Sequence, residues 1–230
     1  MKSYLLIICC WLMLAQSQAQ NFAPIGAKWY YTRGKTNNLN TMEVVSDTTI
    51  NNLVFKKVKV TSFRDNYTKR LECFEYLSGN NDSILYYNYY HNQVFKLYDF
   101  LKKPGDTVVV HESKFKATDA FQSELWGIDS IVGLKYLIDN VDSVMIDQKF
   151  ERRQIIKQLG NNTNSWRLNT RSLTYAINRI GSLGYFWGAF VGGSVAESDD
   201  ILRCYSDSNT SYKNPDYLHP DCDLITGNKY

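Results

Sequence analysis

Three histidines, His91, His111 and His219, supply all the imidazoles of the chain. They fall in three separate stretches, with no spacing that would bring two of them to one metal ion. The one local gathering of ligand types is His219-Pro220-Asp221-Cys222-Asp223. Zinc would need two further nitrogen or sulfur donors to complete a tetrahedron, and Cys222 is better used as a disulfide partner, so neither a metal site nor a cofactor is expected. Nucleophilic catalysis has no firmer footing. No Gly-x-Ser-x-Gly elbow occurs, and Ser182 and Ser194, which each follow a glycine, have no histidine near them in sequence. A phosphate-cradling Gly-x-Gly-x-x-Gly is absent. Adjacent Asp199 and Asp200 would point to opposite faces of a strand, which argues against shared acid-base work between them. No catalytic residue is assigned on these grounds.

What remains is aromatic. Ser83 to Tyr90 places Leu85, Tyr87 and Tyr89 on one face of a strand and Ile84, Tyr86 and Tyr90 on the other. Flat rings with a polar edge suit stacking on sugar rings or on a protein partner. Tyr87 and Tyr89, with Trp187 in the glycine-rich stretch 181–193, are therefore the candidate ligand-binding residues. The competing expectation is structural: tyrosine-rich strands build cores with the hydroxyl reaching the rim, and the glycines let the chain turn around Phe186 and Trp187. Gly26-Ala27-Lys28-Trp29 resembles the opening of lipocalin-like barrels with one residue too many between Gly and Trp. It implies either an internal cavity or a Trp29 that plugs one barrel end.

The elements that must position these residues read as strands. Tyr occurs 17 times and Phe 11, against four prolines, a composition suited to pleated, half-buried surfaces. Lys28 to Arg33, Thr41 to Ile50 and Leu53 to Phe63 are the first three, with Asn51-Asn52 as a two-residue turn because Asn tolerates positive φ. Leu71 to Ser78, Ser83 to Tyr90 and Gln93 to Phe100 continue as a meander. Lys103-Pro104-Gly105-Asp106 turns the chain into Thr107 to His111. Residues 113–133 break the rhythm: Asp119 caps a short helix over 120–126 that Gly127 ends, a helical insertion near 119–127. Lys135 to Ile146 and Phe150 to Leu159 form a hairpin across Asp147-Gln148-Lys149, Trp166 to Ile180 carries one or two strands, and Ile201 to Tyr205 precedes an irregular tail. The fold class is all-β, an antiparallel meander forming either a barrel or a two-sheet sandwich.

Export is written at the start. Leu5 to Leu14 is an unbroken apolar run of ten residues, whereas a spanning helix needs about 20. Ser17 and Ala19 stand where a signal peptidase reads, so residues 1–19 are expected to be a leader and 20–230 a single domain. Cys9 and Cys10 lack the Leu-small-small context of a lipid anchor. Of 26 basic and 23 acidic side chains the leader holds only Lys2, and no basic cluster exceeds Lys56-Lys57 or Arg152-Arg153, so a nucleic-acid partner is not expected. Cys204 and Cys222 both lie in a late stretch rich in Ser, Asp, Asn and Pro, where a cross-link replaces missing core, and a disulfide is expected between them. Cys73, in step with its apolar neighbours, reads as a buried free thiol.

Several segments form an ordered series: Ile25-Gly26-Ala27-Lys28-Trp29-Tyr30-Tyr31; Val94 to Phe100 followed by Pro104-Gly105-Asp106-Thr107-Val108; Val141-Asp142-Ser143-Val144 with Arg152-Arg153; Arg179-Ile180-Gly181-Ser182-Leu183-Gly184; and Leu202-Arg203-Cys204-Tyr205 with Cys222-Asp223. Together they cover most of the chain after the leader and resemble a large group of uncharacterised secreted proteins of Bacteroidetes. Many members carry a C-terminal sorting domain for type IX secretion. None is read before Tyr230 here, which weighs against surface display and keeps the periplasm open alongside the cell surface and the exterior. The resemblance implies compartment and no activity. It also implies an O-glycosylation signal of Asp, then Ser or Thr, then an aliphatic residue or Thr, with matches beginning at Asp47, Asp82, Asp106, Asp129 and Asp142. The plainer expectation is that these tripeptides mark entries from turns into strands. Asn-x-Ser/Thr sequons at Asn66, Asn81, Asn161 and Asn209 would matter only in a eukaryotic secretory route.

Export, near-neutral charge, aromatic strands and the lack of a nucleophile or metal motif favour a non-catalytic binding module for a glycan, a small ligand or an envelope protein. The rivals are a hydrolase whose acid-base carboxylates come from separate strands, and a structural passenger with no ligand.

Overall fold

The structure, a computed structural model, describes residues 22–33, 38–63, 69–80, 82–88, 92–112, 132–159, 174–182, 200–215 and 221–222. Among them are thirteen strands and no helix: β1 (Lys28–Arg33), β2 (Asn38–Ile50), β3 (Leu53–Phe63), β4 (Lys69–Gly79), β5 (Ser83–Asn88), β6 (Gln93–Asp99), β7 (Thr107–Glu112), β8 (Val132–Ile146), β9 (Lys149–Leu159), β10 (Thr174–Ile177), β11 (Gly181–Ser182), β12 (Asp200–Ser206) and β13 (Ser211–Lys213). The leader, the helix expected near 119–127, and Tyr89, His91, Trp187 and His219 lie outside the described residues.

The strands form two antiparallel sheets. One has eight strands in the order β13-β12-β1-β2-β3-β4-β5-β6, the other five in the order β11-β10-β9-β8-β7. The larger sheet runs from an edge at β13 to an edge at β6 and does not close. Of the two architectures left open by the sequence, the chain adopts the two-sheet arrangement and not the barrel.

Local chemistry explains the pairing. Asn51 (φ 50°) and Asn52 (φ 63°) make the two-residue turn between β2 and β3, and Asp147 (φ 46°) and Gln148 (φ 65°) do the same between β8 and β9. Positive φ at both central residues twists such a turn in the sense the flanking strands require. The second turn is one residue shorter than the sequence led us to expect, because Lys149 already pairs with Ile146. Gly105 (φ 90°) sits where Asp106 N donates to the Lys103 carbonyl at 3.0 Å, a turn that needs a residue free of Cβ strain. Bulges between Val44 and Ser46 and between Ile138 and Asn140 bend the longest strands.

Along β3, Val58 and Val60 are buried while Lys57 and Lys59 flank them, the alternation of a sheet with one covered face. That inner face joins Met42, Val44, Leu77, Ile84 and Tyr86 to Tyr136, Ile138, Ile156 and Ile177 of the smaller sheet in one core. Trp29 is fully buried, 5.1 Å from the ring of Tyr205, and its indole Nε1 donates to the Ile180 carbonyl at 2.7 Å. It therefore ties the β1 region to the turn before β11 and does not plug a barrel end. A polar junction binds the same region: Arg179 donates to Glu151 at 3.0 Å and to the Thr210 hydroxyl at 3.1 Å.

The tail is less irregular than expected. Asp207 Oδ1 accepts from the backbone N–H groups of Asn209 and Thr210, each at 2.7 Å, which reverses the chain and lays β13 on β12. Cys204 and Cys222 form the expected disulfide, with Cα atoms 5.5 Å apart, and Cys73 is a free, half-buried thiol. Of the Asp tripeptides, those at Asp82 and Asp106 stand just ahead of β5 and β7. Asp47 and Asp142 lie inside β2 and β8, ion-paired to Lys56 at 2.7 Å and to Arg153 at 2.6 Å.

Candidate functional site

Register decides which side chains share a surface. In β3 and β4, Val58 faces Glu75 and Val60 faces Cys73 on the inner side, while Lys57 faces Tyr76 and Lys59 faces Phe74 on the outer side. In β4 and β5, Leu77 faces Tyr86 inward, which leaves Tyr87 outward beside Tyr76. The parity read from Ser83 to Tyr90 therefore holds where it is described: Tyr86 is buried and Tyr87 is half-buried.

On the outer face the Tyr76 and Tyr87 rings meet edge to face, with centroids 6.1 Å apart. Both remain partly exposed. Phe55 is buried against Tyr87, with ring centroids 5.9 Å apart. The Tyr87 hydroxyl donates to Asn92 Oδ1 at 3.0 Å, and Asn51 Nδ2 donates to the same oxygen at 3.4 Å. Both asparagines are exposed. The turn before β6 thus holds the Tyr87 hydroxyl through Asn92, and the turn before β3 reaches that same asparagine oxygen through Asn51. Phe74 continues the row along β4 and is 39% exposed, with the Lys57 ammonium 4.1 Å above its centroid.

Charge completes the face. Lys59 and Lys69 both reach the Glu72 carboxylate, and these hydrogen bonds, Lys69 first, hold Glu72 below the usual carboxylate range. Lys28 pairs with Glu43 at 3.3 Å and Lys96 with Asp99 at 2.9 Å. Lys57 has the Phe74 ring and, among the described residues, no carboxylate. Aromatic rings, exposed amides and an unneutralised cation on a pleated surface can stack on a flat ligand and hydrogen-bond its rim.

The inner side of β4 carries a different chemistry. Glu75 is 3% exposed and its Oε2 has no hydrogen-bond partner. Burial pushes its carboxyl up to about 8, so it is protonated at neutral pH. Burial, then Glu75 and Glu72, pushes the Cys73 thiol up to about 11, which leaves it a poor nucleophile. Farther along the interior, a cleft of about 20 Å³ lined by Leu97, Val108, Tyr136, Ile138 and Gln154 has room for about one water molecule. Gln154 there already donates to the carbonyls of Asp99 at 2.9 Å and Lys102 at 3.2 Å.

Of the residues singled out by sequence, Tyr87 takes its place in this outer face, and Tyr89 and Trp187 lie outside the described residues. Phe74, Tyr76, Lys57, Asn51 and Asn92 were missed. The parity of Phe74 and Tyr76 was visible, but which strands flank them was not. Among the described residues no group of three or more His, Cys, Asp or Glu side chains could hold a metal ion. No protein-family model, no curated protein and no solved structure matches the chain.

Proposed function

We propose that the chain is an exported, non-catalytic binding module that holds a glycan on the outer face of its larger sheet. One observation carries the reading: Tyr76 and Tyr87 are packed edge to face and left partly open, with the Tyr87 hydroxyl held by Asn92, whose oxygen Asn51 also reaches. A ring held in place before binding loses little freedom when a sugar stacks on it, and so more of the contact energy appears as affinity. Export is supported by the leader-like opening and by the Cys204–Cys222 disulfide, a bond that persists in oxidising compartments. Among the described residues, no helix is long and apolar enough to cross a membrane.

The test is a polysaccharide panel screened with the full chain by affinity electrophoresis and calorimetry, alongside Tyr76→Ala and Tyr87→Ala. Binding lost in both variants with unchanged thermal unfolding supports the reading. Binding that survives both removes this face from consideration, and capture of an envelope protein by the same face with no glycan bound would replace the ligand.

A further inference from the structure

The excess positive charge on the outer face sits against the aromatic row, and that placement narrows the ligand. We propose that this face takes an acidic polysaccharide, whose sugar carboxylates meet Lys57 while its rings lie on Phe74, Tyr76 and Tyr87. The proposal rests on the reading of that face as the binding surface.

Three lysines stand together there: Lys57, Lys59 and Lys69. Lys59 and Lys69 share the single carboxylate of Glu72. Lys57 sits 4.1 Å above the Phe74 ring and cross-strand from Tyr76. An ammonium held over an aromatic face keeps its charge while part of its water is displaced. An incoming carboxylate therefore meets a cation already partly desolvated, with no existing ion pair to break first. Elsewhere on the same face Lys28 with Glu43 and Lys96 with Asp99 are already paired, so the attraction is local to the aromatic row. A neutral glycan would use the rings and leave Lys57 without an acceptor. A uniformly charged polyanion without stackable rings would use the lysines and leave Phe74, Tyr76 and Tyr87 idle.

The experiment titrates the full chain with polygalacturonate, with its fully methyl-esterified form, which keeps the sugar and removes the charge, and with dextran sulfate. The variants are Lys57→Ala, Lys57→Arg and Tyr87→Ala, each checked by thermal unfolding. We expect polygalacturonate to bind at least about tenfold more tightly than its ester, since one charged hydrogen bond is of that order. Lys57→Ala should erase the difference and Lys57→Arg should keep most of it. Equal binding of acid and ester, lost in Tyr87→Ala, overturns the acidic preference and leaves the aromatic face standing. Binding of polygalacturonate that is indifferent to Tyr87→Ala and matched by dextran sulfate overturns both. Failure of every polysaccharide to bind the folded chain also overturns both.

Discussion

Trp29 and Ile180 are 151 residues apart in the chain, yet the indole Nε1 of one donates to the carbonyl of the other at 2.7 Å inside the core. The same ring lies 5.1 Å from that of Tyr205, so two distant segments are assembled around one side chain. Trp29→Phe keeps most of the apolar contact and strands the Ile180 carbonyl in a dry environment. Urea unfolding should show a loss of about 1–3 kcal/mol, larger than for Tyr87→Phe on the outer face.

The disulfide should act on the tail. By loop entropy a closed segment of this size, with a separation of 18 residues, stabilises the chain by about 3 kcal/mol. Guanidinium unfolding with and without reductant measures it. Peptide mapping of denatured, unreduced protein should find alkylation at Cys73 and none at Cys204 or Cys222. Labelling of all three without reductant would show the bond absent.

Glu75 makes stability fall as pH rises. Its carboxyl has a reference value of 4.5 and is pushed to about 8 in the folded chain by burial. Below 4.5 both states are protonated and the group costs nothing through ionisation. Between 4.5 and about 8 the folded state holds a proton that the unfolded state has released, so stability drops by up to about 1.4 kcal/mol per pH unit. Above about 8 the loss levels off. The difference in urea midpoint between wild type and Glu75→Gln should therefore widen from pH 5 to pH 8 and then flatten. A constant offset across that range would show the carboxyl is not buried as described.

Glu75 also marks how far the sequence could be read. Alternation in β3 to β5 was plain because Val58, Val60 and Tyr86 recur at a period of two, and Asn51-Asn52 announced its own turn. Glu75 escaped notice although it shares parity with Cys73 and Leu77, since charged residues at Glu72 and Glu75 fall on both faces of one strand. The choice of sandwich over barrel depends on whether β6 and β13 meet, a contact between distant segments that no local pattern encodes. The short β13 was missed for the same reason: Ser211–Lys213 has little strand propensity of its own and exists because Asp207 turns it onto β12. Lys57 could not be placed over Phe74 before the β3–β4 register was known.

Arg179 and Glu151 should behave as a unit. Their side chains are 11% and 13% exposed, so Arg179→Met leaves a carboxylate in a poorly solvated junction and should cost roughly 3 kcal/mol. Glu151→Gln in the same background should recover much of that loss, because the stranded charge is removed. A double-mutant cycle by chemical unfolding measures the coupling. Additive losses would mean that water already serves Glu151.

Tyr87 separates stacking from hydrogen bonding on the proposed binding face. Tyr87→Phe keeps the ring against Tyr76 and Phe55 and removes only the donor to Asn92 Oδ1. That acceptor is exposed and still receives Asn51 Nδ2, so stability should change by less than about 1 kcal/mol. Affinity for a stacked sugar should fall only a few-fold, through the loosened tilt of the ring. Tyr87→Ala removes the platform itself and exposes Phe55, and its affinity should drop by about tenfold or more, the scale of one aromatic contact. If the two variants bind equally poorly, the hydroxyl and its asparagines carry recognition and the ring is only their support. If Tyr87→Phe binds nearly as wild type while Tyr87→Ala fails, stacking carries it, which is the outcome the edge-to-face pair with Tyr76 requires.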